Sequence, residues 1–337
     1  MRKIDFEAHF YTEEYIDTLL RNSRYPRMTV DEKTRRRKLW YNEQIDQPFA
    51  DGLYNPLMDL GEKRIERMDE CGIDVQVLSL SAPGVEQLDP SVGTPLAKNA
   101  NDTLSEAMKR FPGRIMGYAA LAPKDPLAAA GELERCARDL GFCGWNTHSN
   151  YGDSYLDDAR YRPILRKAEE LGVSIYIHPT VPLIPQVTGY GFALAGAPFG
   201  FGVETALCVM RLIYSGALDE FPTLKIILGH LGEALPFLIK RIDWAWERPF
   251  DPNLRPKIAK KPSEYFKDNI FVATSGNYYE PAFMCTREAM GIDKILLGTD
   301  YPYEDPEECV DFIDRLPISQ EDREKIYSEN ARRFGFS

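Results

Sequence analysis

The stretch DARYRPILRKAEELGVSIYIH, residues 158–178, decides the fold. Residues 158–171 read as an amphipathic helix. Val173-Ser174-Ile175-Tyr176-Ile177-His178 reads as a short, nearly all-apolar strand that ends on a histidine. A helix feeding a strand that is apolar along its whole length is the signature of a parallel sheet covered by helices.

The same unit recurs in both directions. Strands are read at Ile4–Phe10, Val75–Leu80, Arg114–Leu121, Gly144–His148, Val173–His178, Lys225–His230, Ile270–Ser275 and Lys294–Asp300. Helices are read at 59–71, 95–110, 126–140, 158–171, 202–216, 232–246 and 280–290, with closing helices at 306–315 and 319–332. Eight strands alternating with helices favour a closed (β/α)8 TIM barrel over an open doubly wound sheet, an α/β fold either way. No Gly-x-Gly-x-x-Gly follows a strand and no Gly-Lys-Ser/Thr loop occurs, so nucleotide-binding folds lose their main support.

Two segments break the rhythm. Residues 11–56 are polar and too long for a strand-to-helix connection; they read as an insertion capping a site. Within them Arg35-Arg36-Arg37-Lys38 reads as a solvated helix face or loop. Residues 181–200 are Gly/Pro-rich and apolar, and read as a loop roofing a pocket. The chain 1–337 is thus taken as one domain, with a C-terminal helix drawn over 319–337.

Composition sets limits. The chain carries 41 Lys+Arg against 52 Asp+Glu, a formal charge of −11. That balance disfavours nucleic acid or an anionic membrane as partner, though not a small anion in a local positive pocket. Six cysteines without a Cys-x-x-Cys read as reduced thiols of a cytoplasmic protein. The N-terminus lacks the apolar run of a signal peptide, and no apolar stretch is long enough to span a bilayer.

Only four histidines occur, and each falls at or near a strand end. In a barrel of this type the C-terminal strand ends face the active site. Glu7 and His9, two apart on the first strand, share a face. His178 ends the fifth strand and Asp300 the eighth. Together Glu7, His9, His178 and Asp300 offer two nitrogen and two oxygen ligands suited to Zn²⁺ or Mn²⁺. Asn146 and His148 end the fourth strand, where they either line the pocket or brace the loop. His230 opens His230-Leu231-Gly232-Glu233; Glu233, three residues on at the expected start of a helix, can return to the imidazole and raise its pKa for proton handling.

These residues stand in motifs: Glu7-Ala8-His9, Ile177-His178-Pro179, Gly229-His230-Leu231-Gly232-Glu233 and Gly298-Thr299-Asp300-Tyr301-Pro302. As a set they resemble the amidohydrolase superfamily over nearly the whole chain, in its ACMSD-related branch of metal-dependent decarboxylases. Hydrolytic members open with His-x-His. Glu7 in the first position resembles instead the decarboxylases of γ-resorcylate, 2,3-dihydroxybenzoate and 5-carboxyvanillate. Asn146-Thr147-His148 and Phe199–Thr205 look closest to the 5-carboxyvanillate type.

The resemblance implies a non-oxidative decarboxylase of an o-hydroxy aromatic carboxylate. The ring carbon is protonated and CO₂ is then lost. No lysine ends the fourth strand, which implies a single divalent ion, with no organic cofactor. Asp300 is the first choice of proton donor, with His230 and Glu233 orienting substrate or relaying the proton. By position, Arg241 would meet a substrate carboxylate across a dimer interface, Arg64 would contact substrate, and Phe201 and Tyr303 would line an aromatic slot. A homodimer or homotetramer is implied. The rivals are a metal-dependent hydrolase or hydratase of a lactone or unsaturated dicarboxylate, and a catalytically silent binding barrel.

Overall fold

The computed structural model describes residues 1–248 and 251–336. Eight parallel strands lie side by side in chain order: β1 (Ile4–Phe10), β2 (Val75–Leu80), β3 (Ile115–Ala119), β4 (Gly144–His148), β5 (Ser174–His178), β6 (Lys225–Leu228), β7 (Ile270–Ala273) and β8 (Ile295–Leu296). The ends of the sheet meet. Phe6 N–H donates to Leu297 O at 2.8 Å, Asp300 N–H to Glu7 O at 2.8 Å and His9 N–H to Tyr301 O at 2.7 Å, so β8 closes on β1. The result is a (β/α)8 barrel with a helical layer outside.

Alternation along the strands separates two cores. Val75, Val77, Ile227 and Phe271 join Ile4, Phe6, Tyr118 and Tyr176 in an inner cluster. Their neighbours Leu78, Ile226, Leu228, Ile270 and Val272 join the larger cluster beneath the helices. β1 changes phase part-way. Asp5 pairs with Gln76 and Ala8 with Leu78, so Phe6 and Glu7 together oppose Val77 alone. This bulge lets β1 bury Ile4 and Phe6 low in the barrel and still aim Glu7 and His9 into the site above, a use typical of bulges beside active sites.

Several strands and helices are shorter than the sequence suggested. β8 stops at Leu296 because Leu297 N–H turns to Ile326 O at 3.0 Å, while the Thr299 hydroxyl reaches Asp5 at 2.7 Å. The helix expected over 232–246 begins only at Leu235, runs to Ile242 and resumes as Trp244–Glu247; residues 230–234 form a left-handed turn instead. The C-terminal helix drawn over 319–337 is broken into Gln320–Glu324, a wide turn at Lys325–Glu329 and a tight one at Asn330–Phe334; Ser337 lies outside the described residues. The break has a cause: Asn330 Nδ2 donates to Ile292 O and Ile295 O at 2.9 and 2.8 Å, tying that segment to the barrel wall.

The segment 11–56 folds. Helix Glu13–Arg21, capped by Thr12 accepting from Tyr15 N–H at 3.2 Å, leads into an antiparallel sheet of Arg27–Val30, Arg37–Trp40 and Asp46–Phe49, then helix Asp51–Met58. The basic run is therefore not helix: Arg37 and Lys38 sit in the middle strand, where alternation buries Leu39 and leaves Lys38 exposed. The segment 181–200 carries a 3₁₀ turn, Pro185–Tyr190, and a single helical turn, Phe192–Ala195.

Candidate active site

Four side chains from β1, β5 and the end of β8 converge at the top of the barrel. One ligand atom from each of Glu7, His9, His178 and Asp300 lies within 4.8 Å of all the others. His9 Nε2 is 2.8 Å from Asp300 Oδ1. His178 Nε2 is 3.9 Å from Glu7 Oε1 and 3.9 Å from Asp300 Oδ1.

Second partners fix the rings. His178 Nδ1–H donates to Pro179 O at 2.9 Å, which leaves Nε2 with its lone pair facing the acids. His9 Nδ1 meets Ser79 Oγ at 3.0 Å, so its Nε2 likewise faces inward. Burial pushes both imidazoles below their usual pKa and keeps them neutral, the form that binds metal.

The acids test whether a cation fits. Glu7 is 2% exposed, and neither of its carboxylate oxygens receives a hydrogen bond. A buried carboxylate without donors is costly. Burial accordingly pushes its pKa up, with Asp300 adding to the effect. At Asp300 burial pushes the same way, but the imidazoles gathered around it, His9 at 2.8 Å and His178 and His230 at 3.9 and 3.8 Å, outweigh it and hold the carboxyl well below its usual range. Two neutral imidazoles, one ionised acid and one acid lacking any donor form a nest that a divalent cation completes.

His230 stands beside this nest. Its Nε2 is 3.8 Å from Asp300 Oδ2, and its Nδ1–H donates to Glu233 Oε1 at 2.7 Å. Burial would lower its pKa; Glu233 and Asp300 outweigh burial and raise it well above the usual imidazole value. The charges of Glu233 and Asp300 thus favour the protonated form of this imidazole. The turn that places it is left-handed throughout, with φ of 54°, 57°, 84°, 54° and 60° at residues 230–234. Such backbone is rare outside glycine and gathers at functional sites.

Above the nest opens a cavity of about 900 Å³. Tyr41 and Gln47 from the cap sheet and Leu53 from the cap helix close one side; Phe192, Phe199 and Phe201 from the 181–201 region close another. Tyr41, Phe192 and Phe201 form an aromatic cluster, with ring centroids 5.6 to 6.3 Å apart. His178, His230, Glu233, Asp300, Tyr303, Asn277 and Glu304 supply polar lining. Both segments that interrupt the strand–helix rhythm thus roof this cavity.

Among the residues singled out from sequence, Glu7, His9, His178 and Asp300 meet in the nest, while His230, Glu233, Phe201 and Tyr303 line the cavity beside it. Four others are placed elsewhere. Arg64 is 0% exposed and is consumed by backbone carbonyls: Nε–H donates to Asp59 O at 2.7 Å, and Nη2 to His9 O and Pro56 O at 2.8 and 2.9 Å. It ties the cap to β1 and does not reach the cavity. Arg241 is exposed on helix Leu235–Ile242, one turn beyond the cavity-lining Leu238, and has no part in this chain's own cavity. His148 is buried behind His178, ring centroids 5.5 Å apart, with Nδ1 3.0 Å from Glu86 Oε1. Asn146 is buried on β4, outside the cavity lining.

Sequence reasoning missed Tyr41, Gln47, Asn277 and Glu304. Glu304 was within reach of a motif reading, four residues past Asp300 in Asp300-Tyr301-Pro302-Tyr303-Glu304. Tyr41 and Gln47 carried no such signal, because only the fold of the cap aims them.

A family model for amidohydrolases matches residues 4–334. The chain is 37% identical over 343 residues to a gamma-resorcylate decarboxylase of Polaromonas sp., covering 98% of this chain and 97% of that protein. Two solved structures superpose over nearly the full chain. One is a dihydroxybenzoic acid decarboxylase from Polaromonas sp. with bound manganese and the inhibitor 2-nitroresorcinol (TM-score 0.85, 35% identity, 99% of this chain and 97% of that one). The other is a 5-carboxyvanillate decarboxylase from Novosphingobium aromaticivorans with manganese and 4-hydroxy-3-methoxy-5-nitrobenzoic acid (TM-score 0.87, 33% identity, 100% and 96%).

Proposed function

Because the chain belongs to the amidohydrolase family, we propose that its nest and cavity together make a metal-dependent decarboxylase of an o-hydroxy aromatic carboxylate, a carboxy-lyase. One observation carries the reading: the His230 imidazole, bonded to Glu233 through Nδ1, stands with Nε2 3.8 Å from the Asp300 carboxylate in the wall of an aromatic-lined cavity.

A divalent ion in the nest supplies Lewis acidity and positive charge that hold an anionic substrate there. Mn²⁺ and Zn²⁺ both accept two nitrogen and two oxygen donors, and elemental analysis of the purified protein decides between them.

The residues of the chain do the rest. Phe201 and Phe192 flank a planar ring, and Tyr303 adds an aromatic wall. Roofing by the cap and the 181–200 segment keeps bulk water from the reacting carbon. His230 holds a proton on Nε2, facing Asp300 Oδ2. Asp300 passes that proton to the ring carbon bearing the carboxylate, and His230 restores it. The new C–H bond leaves the ring without aromaticity. Breaking the bond to the carboxylate releases CO₂ and returns the electron pair to the ring.

The same reading includes a second copy of the chain. Phe199, on the cavity wall, is 55% exposed, and Phe237, beside the cavity-lining Leu238 in sequence, is 78% exposed; burying such aromatic surface against an equivalent copy would make a homodimer or homotetramer and deliver Arg241 toward a neighbouring cavity. Among the described residues no helix is long and apolar enough to cross a membrane. Six unpaired cysteines support a reducing, cytoplasmic location.

The test is direct. Manganese-loaded protein incubated with 2,6-dihydroxybenzoate should release one CO₂ per resorcinol formed. Hydrolysis of a lactone without CO₂ release from any o-hydroxybenzoate would overturn the reading.

A further inference from the structure

The cavity wall contains carboxylates but no lysine or arginine among its described residues. Three of its four charged groups are already engaged: Glu233 with His230, and Asp300 with the histidines of the nest. The fourth, Glu304, is half-buried, and its carboxylate makes no hydrogen bond or ion pair with any described residue. Its backbone N–H reaches Asp300 O at 3.3 Å, which sets Glu304 one turn past the nest, on the cavity wall.

We infer that Glu304 selects the substrate class: it accepts a hydrogen bond from a ring hydroxyl of an aromatic monocarboxylate and turns away rings that carry a second carboxylate. This rests on the decarboxylase reading above and says which acids that site takes.

The argument is one of charge and donors. The reacting carboxylate and its ortho hydroxyl would be answered by the positive charge of an ion held by Glu7, His9, His178 and Asp300. Any further substituent meets Leu53, Val203, the Phe192–Phe199–Phe201 wall, the amides of Gln47 and Asn277, and Glu304. Gln47 Oε1 already accepts from the Tyr41 hydroxyl at 3.0 Å, so this residue has only its neutral N–H groups to offer. Neutral amides stabilise a hydroxyl or ether oxygen well but leave an ionised carboxylate largely uncompensated in an apolar cavity. Glu304 makes that worse, since like charges in a partly desolvated site repel strongly. A hydroxyl does the reverse: it gives Glu304 the donor it lacks. Burial raises the Glu304 pKa, with Asp300 adding to the effect, as befits a carboxylate short of donors. Arg241 lies outside the lining of this chain's own cavity.

The experiment uses manganese-loaded full-length protein and two unreactive probes, 2-nitroresorcinol and 4-hydroxy-3-methoxy-5-nitrobenzoic acid; the second keeps an extra carboxylate. Titration calorimetry should give at least tenfold tighter binding of 2-nitroresorcinol. Turnover of 2,6-dihydroxybenzoate should exceed that of 5-carboxyvanillate at least a hundredfold in kcat/KM. In Glu304→Gln, with manganese content unchanged, both gaps should narrow at least tenfold. Equal or reversed probe affinities in the wild-type protein overturn the inference whether or not the variant folds, and so does an unchanged gap in a folded, metal-loaded E304Q. If neither acid releases CO₂ while the probe order holds, the decarboxylase reading falls and the selectivity stands.

Discussion

Glu233 Oε1 lies 2.7 Å from His230 Nδ1 across a turn in which five consecutive residues have positive φ. Four of the five are not glycine, and each such residue costs roughly 1–2 kcal/mol. The turn is held from outside: His230 N–H donates to Ser275 Oγ at 3.0 Å, Thr286 Oγ1 donates to Leu231 O at 3.1 Å, and Leu231 is buried. Strain of this kind persists where the surroundings enforce it. Here it aims an imidazole and its carboxylate partner at one point in the cavity.

Removing either member should therefore impair chemistry more than loading. His230→Asn keeps a residue that tolerates left-handed backbone. It should retain manganese and lose about 10²–10⁴-fold in kcat, the usual range for a lost acid–base group. Glu233→Gln should lose less, about ten- to a hundredfold, because the ring keeps a hydrogen bond but not its charge partner. Elemental analysis alongside single-turnover CO₂ release checks both; an H230N enzyme with wild-type kcat would remove His230 from proton transfer.

The nest predicts a link between metal and stability. Without a cation, Glu7 is buried with no donor on either oxygen. Chelation should abolish turnover and lower Tm, and Mn²⁺ should restore both. At an ion concentration a hundredfold above Kd, the stabilisation is about 2.7 kcal/mol. Glu7→Ala should abolish the Mn²⁺-dependent rise in Tm. Stoichiometric manganese in that variant would exclude Glu7 as a ligand.

Much of this was legible in the sequence, and the limits have physical causes. His9 and His178 sit where uniform strand-end logic puts them, since a barrel repeats one local rule; Asp300 lies four residues past the end of β8, in the segment that closes on β1. The Glu7–His9 pair followed from period-two alternation, but the bulge opposite Val77 that re-aims Glu7 left no mark in the pattern. The 230–234 turn was missed because Leu231, Glu233 and Ala234 are ordinary helix formers, held in a left-handed turn by Ser275 and Thr286, far away in sequence. Arg64 illustrates a different limit: position along the chain placed it near the site, while only the structure shows its guanidinium spent on three carbonyls.

That placement of Arg64 makes a prediction about stability. Arg64→Ala would leave the carbonyls of Asp59, His9 and Pro56 without their buried donor and remove the guanidinium stacked 5.1 Å from the Tyr301 ring. Breaking a buried charged network in this way costs about 3–5 kcal/mol. Urea denaturation should show the loss, and Arg64→Lys should recover little of it, since an ammonium cannot fork between the same acceptors. A variant of normal stability with a raised KM would return Arg64 to substrate binding.

The pair behind the nest gives a last prediction. His148 Nδ1 and Glu86 Oε1 are 3.0 Å apart, both residues almost fully buried, and the His148 ring lies edge-on to His178 at 5.5 Å. Gly84, at φ +70°, closes over them: a Cβ there would fall 2.0 Å from Glu86 Oε2 and 2.4 Å from His148 Nδ1. Gly84→Ala therefore meets two penalties, left-handed backbone and displacement of a buried hydrogen-bonded pair. A loss of about 2–3 kcal/mol of stability follows. A displaced His148 ring bears on His178, 5.5 Å away, so manganese affinity should fall as well, by about tenfold, the lower end of the range for disturbing the support of a metal ligand. Calorimetric titration of Mn²⁺ into G84A measures this. Wild-type affinity in a destabilised G84A would show that the Glu86–His148 couple braces the loop without supporting the metal ligand.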